Sequence, residues 1–122
     1  MTYKIDFNSS SKIVCVSYSG AVSLEMRMQA VEEVCSNYCH LIPLIILVDV
    51  RQLIMDLSFD EQQRFGEYLA NHSGLINARV AVLHQPDFNP NIVVDTSAYN
   101  NGYMLAQFSS LTEAELWLLQ II

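Results

Sequence analysis

Two short, continuous apolar runs constrain the fold of this 122-residue chain more than any other feature. Leu44–Val50 reads LIILVDV and Arg79–His84 reads RVAVLH, so neither run alternates between apolar and polar residues. Strands that are buried on both faces have this pattern, and they occur in parallel sheets that helices cover. The two runs therefore predict central parallel strands and an α/β fold.

Segments with helical spacing lie between and beside these runs. The first is expected to extend from Ser23, a suitable N-cap, to about Cys39. Its apolar positions recur at intervals of three and four residues, which places them on one face. They are Leu24, Met28, Val31, Cys35 and Tyr38. Arg27 falls outside this stripe and is expected to face water.

Capping signals predict the remaining helices. Ser58 and Glu61 form a capping box that opens a second helix, and Ser73-Gly74 closes it. Asn89 could cap a weaker third helix, with Pro90 at its first position. A further capping box that begins at Thr112 predicts the last helix.

The predicted order of elements is β-β-α-β-α-β-(α)-β-α. Tyr3–Phe7 and Ile13–Tyr18 read as a hairpin, and Tyr103–Phe108 reads as a last short strand. Alternation of strands and helices implies parallel strands joined by right-handed crossovers. We therefore expect one domain over residues 1–122, with a mixed sheet of about five strands packed by three to four helices.

Charge and hydrophobicity exclude several classes of protein. The chain has 6 Lys and Arg against 13 Asp and Glu, a net charge of −7, so it lacks the basic surface that nucleic acid requires. Its longest apolar run covers eight residues, 41–48, which is too short to span a membrane. The start shows no signal peptide and the cysteine count is odd, so we expect a cytoplasmic protein.

The sequence shows no motif for metal binding or catalysis. Cys35, Cys39 and His40 invite a zinc interpretation, but no second ligand pair follows at a typical spacing. The four glycines are scattered, so no phosphate-binding loop is present. We therefore expect no metal, no cofactor and no enzymatic activity.

Several segments together resemble the SpoIIAA-like family, which consists mainly of uncharacterised bacterial proteins. They are the opening hairpin, Leu47–Arg51 (LVDVR), Arg79–Leu83 (RVAVL) and the ending Phe108–Leu118 (FSSLTEAELWL). The family is related to STAS domains and, in its fold, to CRAL-TRIO lipid-binding domains. The resemblance covers nearly the whole chain, and it implies a β-α superhelix around the sheet.

The resemblance also implies a place for a phosphorylated serine. STAS anti-anti-sigma factors carry an Asp-Ser-Ser-Gly pattern at the start of the second helix, where a kinase modifies serine. The nearest match is Asp56-Leu57-Ser58-Phe59, in which Leu57 replaces the first serine and Phe59 replaces the glycine. Ser58 is thus either a phospho-switch or simply a helix cap. Nearby acidic residues oppose added phosphate, because like charges repel.

Ligands of open α/β sheets lie at the carboxyl ends of the parallel strands. At these ends we predict a ligand or partner site formed by Asp49, Arg51, Asp56, Leu57, Phe59 and His84. Asp49 and Arg51 could bracket a polar ligand. Alternatively, Asp49 accepts hydrogen bonds from loop N–H groups, and Arg51 pairs with Asp56 or Asp60.

Three functional hypotheses follow in order. The first is a non-enzymatic regulatory or protein-interaction module, because apolar residues exceed what the core needs. Leu116, Leu119 and Ile122 lie off the buried stripe of the last helix, so they could face a partner such as a second copy of the chain. The second is a carrier or sensor of a small apolar or lipid-like ligand. An enzyme ranks last.

Overall fold

The computed structural model describes residues 2–120, which form a five-stranded sheet, four α-helices and a short 3-10 turn. The strands are β1 (Thr2–Phe7), β2 (Ile13–Ala21), β3 (Leu44–Ile54), β4 (Ala78–Leu83) and β5 (Leu105–Phe108). The helices are α1 (Leu24–Tyr38), α2 (Phe59–Asn71), α3 (Ile92–Asn100) and α4 (Leu111–Leu118), and the turn covers Ser73–Leu75. Within the described part of the chain, no helix is long and apolar enough to cross a membrane.

The strands lie in the sheet in the order in which they occur along the chain. β1 pairs with β2 in antiparallel fashion, and β2 to β5 are parallel. α1, α2 and α3 each connect two consecutive parallel strands, and all three contribute to the core on one face of the sheet. α4 packs on the opposite face. The predicted α/β class, opening hairpin and parallel strands are confirmed.

β3 and β4 are buried because helices cover both of their faces. Leu44 and Ile46 point toward α1–α3, whereas Ile45 and Leu47 alternate with them and pack near α4. The apolar side chains therefore need no polar partner on either face, which explains the continuous runs in the sequence.

β3 is longer than its apolar run predicts. The expected strand ends at Val50, but the structure extends it to Ile54. Gln52–Ile54, at the end of the added segment, pair with Ser19–Ala21 of β2. The pairing of β3 with β4 ends earlier, at Asp49. Arg51 therefore lies within a strand, and the loop to α2 begins only after residue 54.

The helix starts are partly as predicted. Ser23 Oγ accepts from the Met26 N–H at 3.2 Å, so the cap of α1 is confirmed. The Ser58 capping box of α2 is also confirmed. The third helix exists, but it starts after Asn91 rather than Asn89. The cap of α4 is Ser110 instead of Thr112.

At the start of α4, Ser110 and Glu113 have the same three-residue spacing as Thr112 and Glu115, the pair predicted from the sequence. The Glu113 N–H donates to Ser110 Oγ at 3.3 Å, and this bond fixes the earlier start.

The buried face of α1 differs from the predicted stripe. Ala30, Val31, Val34 and Cys35 are buried, and so is Arg27, which is only 1% exposed. The expectation that Arg27 faces water is wrong. Compared with the predicted stripe, the face of α1 that packs on the sheet is rotated toward residues 27, 30 and 34. Ala30 and Val34 are small or branched apolar residues, which suits them to this close packing.

Candidate functional site

Asp49 and Arg51 form an ion pair with each other. Arg51 Nε donates to Asp49 Oδ1 at 3.0 Å, and Arg51 Nη2 donates to Asp49 Oδ2 at 2.8 Å. Partial burial would raise the pKa of Asp49, but the Arg51 hydrogen bonds outweigh it and lower that pKa. The alternative that Arg51 pairs with Asp56 or Asp60 is therefore wrong. Asp49 and Arg51 can pair because they lie two residues apart on β3, which places their side chains on the same side of the strand.

His84, at the carboxyl end of β4, is held by the backbone. Its Nδ1 lies 2.6 Å from the Gln85 carbonyl oxygen, to which it donates, and Gln85 Nε2 donates to the Arg51 carbonyl at 2.8 Å. Within residues 2–120, no hydrogen bond joins the His84 side chain to Asp49 or Arg51. These three predicted residues are therefore engaged by local partners.

The other predicted residues lie in the loop between β3 and α2. The Ser58 N–H donates to Glu61 Oε1 at 3.0 Å, and Ser58 Oγ accepts from the Glu61 N–H at 3.1 Å. The Leu57 carbonyl accepts from Gln62 Nε2 at 3.1 Å. Asp56 is exposed, and Phe59 is 62% exposed. Ser58 thus has the geometry of a helix cap.

A partly enclosed cavity of about 60 Å³ lies between the sheet and helices α1–α3. Part of its floor is a row of valines that pair in register across three strands, Val16, Val48 and Val82. The helices contribute further apolar side chains, among them Ala30, Val34 and Phe65. Protein interiors rarely contain voids larger than a water molecule, so a cavity of this size is a notable feature of the core.

Arg27 lines this cavity and is almost fully buried. Its Nε donates to the Val22 carbonyl at 3.0 Å, and its Nη1 donates to Asn91 Oδ1 at 3.3 Å. Nη2 lies 3.6 Å from Met55 Sδ, and the guanidinium carbon lies 5.7 Å from the centre of the Tyr18 ring. Within residues 2–120, no carboxylate lies within 4.0 Å of this cation. Burial lowers the pKa of Arg27.

Asp95 is the second buried charged group at the cavity. Its carboxylate accepts from Asn89 Nδ2 and Asn91 Nδ2 at 2.9 Å each, and from Gln107 Nε2 at 3.1 Å. Burial raises the pKa of Asp95, although the three amide donors oppose that shift. Asn91 links the two charges, because its oxygen accepts from Arg27 while its nitrogen donates to Asp95.

A Cys-His-Glu cluster lies between α1 and the end of α2. Cys35 Sγ is 3.8 Å from His72 Nδ1, and His72 Nε2 is 2.7 Å from Glu32 Oε2, which also accepts from Tyr68. The Gly74 N–H donates to His72 Nδ1 at 3.0 Å, so Nδ1 is the acceptor and Nε2 carries the proton. Burial raises the pKa of Cys35 to about 11, so the thiol stays protonated at neutral pH.

The sequence patterns indicated neither the buried Arg27–Asn91–Asp95 network nor the Cys35–His72 contact. Arg27 and Asn91 are 64 residues apart, and Cys35 and His72 are 37 apart, so only the tertiary fold brings them together. For the Arg27–Asn91–Asp95 network, the sequence does contain one indication. Three side-chain amides or carboxylates, Asn89, Asn91 and Asp95, are concentrated around the weakly predicted third helix.

The architecture and this geometry can be compared with known proteins. The structure is similar to the crystal structure of an uncharacterized protein of the DUF3478 family from Shewanella loihica PV-4, which has a SpoIIAA-like fold. The match covers 96% of this chain and 92% of that chain, with a TM-score of 0.60 and 16% identity. The chain has a SpoIIAA-like fold. The resemblance inferred from the sequence is therefore confirmed at the level of the fold.

Two further comparisons gave no match. No protein-family model matches the chain, and no curated protein matches it. The SpoIIAA-like neighbour is itself uncharacterized, so the fold alone assigns no activity.

Within residues 2–120, no group of three or more His, Cys, Asp or Glu side chains is placed to hold a metal ion.

Proposed function

We propose that this SpoIIAA-like chain is a non-enzymatic STAS-like module that binds a small, largely apolar molecule in the cavity beneath α1–α3. The cavity carries this proposal. It lies against the strands at the centre of the sheet, and apolar side chains from β2, β3, β4 and the helices form most of its wall. Cavities lined by apolar side chains take up small apolar molecules in proteins, and the apolar part of this wall offers such a molecule its contacts.

The cavity has a cost that a bound molecule would offset. Loss of packing costs about 24 cal/mol for each Å³ of cavity, so a 60 Å³ cavity costs about 1.4 kcal/mol. A domain has only about 5–15 kcal/mol of stability in total. A ligand that restores the missing contacts binds the folded state alone and therefore stabilises it.

The side chains with catalytic potential support a non-enzymatic role. The Cys35 thiol is buried and protonated, and the acceptor nitrogen of His72 already receives the Gly74 N–H. Asp49 is neutralised by Arg51. The three cysteines form no disulfide, which supports a reducing compartment such as the cytoplasm.

Native mass spectrometry of the protein taken directly from its host cells tests the proposal. We expect an adduct of low mass on the wild type and loss of that adduct in a double variant, Val16→Ile/Val80→Ile. Both valines line the cavity, and each substitution adds one methylene to it. Val14→Ile is the matched control, because Val14 is buried on the same strand but does not line the cavity. A wild type without any adduct would contradict the proposal.

A second candidate function, a protein-interaction module, is favoured by exposed apolar side chains on α2 and α3. Phe59, Ile92 and Tyr99 are 62%, 47% and 65% exposed, and Ile92 and Tyr99 lie seven residues apart on one face of α3. Leu116 on α4 and Leu119 directly after it are also exposed, whereas Ile122 lies outside the described residues.

Sedimentation velocity at micromolar concentration tests the simplest such partner, which is a second copy of the chain. A dimer of wild type that becomes a monomer in Phe59→Ser/Tyr99→Ser would support the interaction surface. A monomer of 13.8 kDa at every concentration would contradict homodimerisation.

A further inference from the structure

We infer that the cavity accepts a short-chain carboxylate, whose charged end pairs with Arg27 and whose apolar end fills the space between the sheet and α1. This inference rests on the proposed ligand-binding function and adds the chemical class of the ligand. Three observations lead to it: the state of Arg27, the position of Asp95 and the volume of the cavity.

Arg27 is a buried cation whose hydrogen-bond partners are all neutral, and the Asp56 carboxylate, which is exposed, acts on it only from beyond ion-pair distance. Its hydrogen-bond partners are a carbonyl, a side-chain amide oxygen and a thioether sulfur, the last a weak acceptor, and the face of the Tyr18 ring lies beside its guanidinium. A guanidinium has five N–H groups, so these contacts use only some of its donors. Burying a charge is costly unless an opposite charge accompanies it. A ligand carboxylate would supply both the missing charge and two acceptor oxygens in the planar geometry that arginine matches.

Asp95 orients the ligand. Its carboxylate lines the same cavity, but both of its oxygens already accept hydrogen bonds from side-chain amides. An anion near Asp95 would meet a like charge, whereas an anion near Arg27 meets an opposite one. The carboxylate therefore lies at the Arg27 end, and a ligand with negative charge at both ends is excluded.

The volume limits the length of the ligand. A cavity of about 150 Å³ holds benzene, and this cavity of about 60 Å³ is well under half that size. A carboxylate with one or two further carbons is the class that fits with little movement of α1. Longer chains must displace helix side chains, so we expect affinity to fall as the chain grows beyond that of propionate.

The experiment is a nuclear magnetic resonance titration of ¹⁵N-labelled full-length protein with propionate and, separately, with propionamide at the same ionic strength. The two probes share their shape and differ in charge. We expect saturable shifts of amide signals around the cavity and at least tenfold tighter binding of propionate, which corresponds to about 1.4 kcal/mol. In Arg27→Met, which keeps an unbranched apolar stem but removes the charge, that preference should disappear.

A second pair of variants keeps the test valid if Arg27→Met fails to fold. Met55 is half-buried and its sulfur contacts Arg27 Nη2. Met55→Glu places a carboxylate from the chain itself beside the guanidinium, so it should abolish propionate binding. Met55→Gln has the same length without the charge, so it should still bind propionate.

The outcomes separate this inference from the function on which it rests. Equal affinity for propionate and propionamide in the wild type would overturn the carboxylate assignment and leave the cavity as a binding site. Propionate preference that persists in Arg27→Met or in Met55→Glu would also overturn it. No binding of either probe would contradict both the inference and the proposed function.

Discussion

The most informative test of the cavity compares one substitution at two positions of the same strand. Val16 and Val14 are two residues apart on β2, both are buried, and both face α1–α3. Val16 lines the cavity, whereas Val14 is fully buried and does not. Val→Ile adds one methylene at either site without changing charge or strand propensity.

The expected changes in stability have opposite signs. At Val16 the added methylene enters empty space and contributes about 0.8 kcal/mol, which lies within the ~1.4 kcal/mol that the cavity costs. At Val14 the same methylene must force packed neighbours apart, which costs about 1–3 kcal/mol. For a chain of 122 residues, 1 kcal/mol corresponds to about 4 °C in Tm.

Urea denaturation at fixed pH gives the free energy of unfolding of each variant, provided that the m-value is unchanged. We expect Val16→Ile to unfold at a higher urea concentration than the wild type and Val14→Ile at a lower one. Destabilisation by Val16→Ile to the same extent as by Val14→Ile would show that the core is packed at both positions, and would refute the reasoning.

Three further predictions concern the helices and the buried acid. Gly66→Ala should lower stability by about 1–2 kcal/mol in urea denaturation, because its Cβ would lie 2.7 Å from the Val94 carbonyl oxygen, and overpacking outweighs the gain in helix propensity. A stabilised variant would contradict this close approach of α2 and α3. Ser58→Ala should cost about 1 kcal/mol through loss of the α2 cap, whereas Ser58→Asp, another good cap, should cost less; equal losses would indicate that capping is not the role of Ser58. Because burial raises the pKa of Asp95, its contribution to stability is largest at low pH and is lost as the pH rises through that pKa. The stability of Asp95→Asn relative to the wild type should therefore increase between pH 4 and pH 7, and a difference that is constant with pH would contradict the assignment.

The elements that local sequence determines could be predicted well. The continuous runs around Ile46 and Val80 indicated doubly covered parallel strands, and the Ser58 box indicated the start of α2, because both signals depend on neighbouring residues. The start of α4 was misassigned by two residues. Ser110 and Thr112 are both followed by an acidic residue at the third position, and the chain alone does not show which hydroxyl caps.

The candidate site could not be predicted in the same way. Asp49 and Arg51 are two residues apart in a strand, so their common side was foreseeable, but their pairing with each other was not predicted. The burial of Arg27 was missed because an arginine outside the apolar stripe of a helix normally faces water. Its partners Asn91 and Met55 come from distant segments, and a cavity depends on packing that no local pattern records.

The central claim is that the folded chain contains a largely apolar cavity beneath α1–α3 that accepts a small ligand. Amide chemical shifts measured under increasing xenon pressure test it most directly, because xenon occupies apolar cavities without needing a charged partner. The account predicts saturable shifts confined to residues around the cavity in the wild type, and their loss in Val16→Ile/Val80→Ile. Shifts that are absent, or that are unchanged in the double variant, would contradict it.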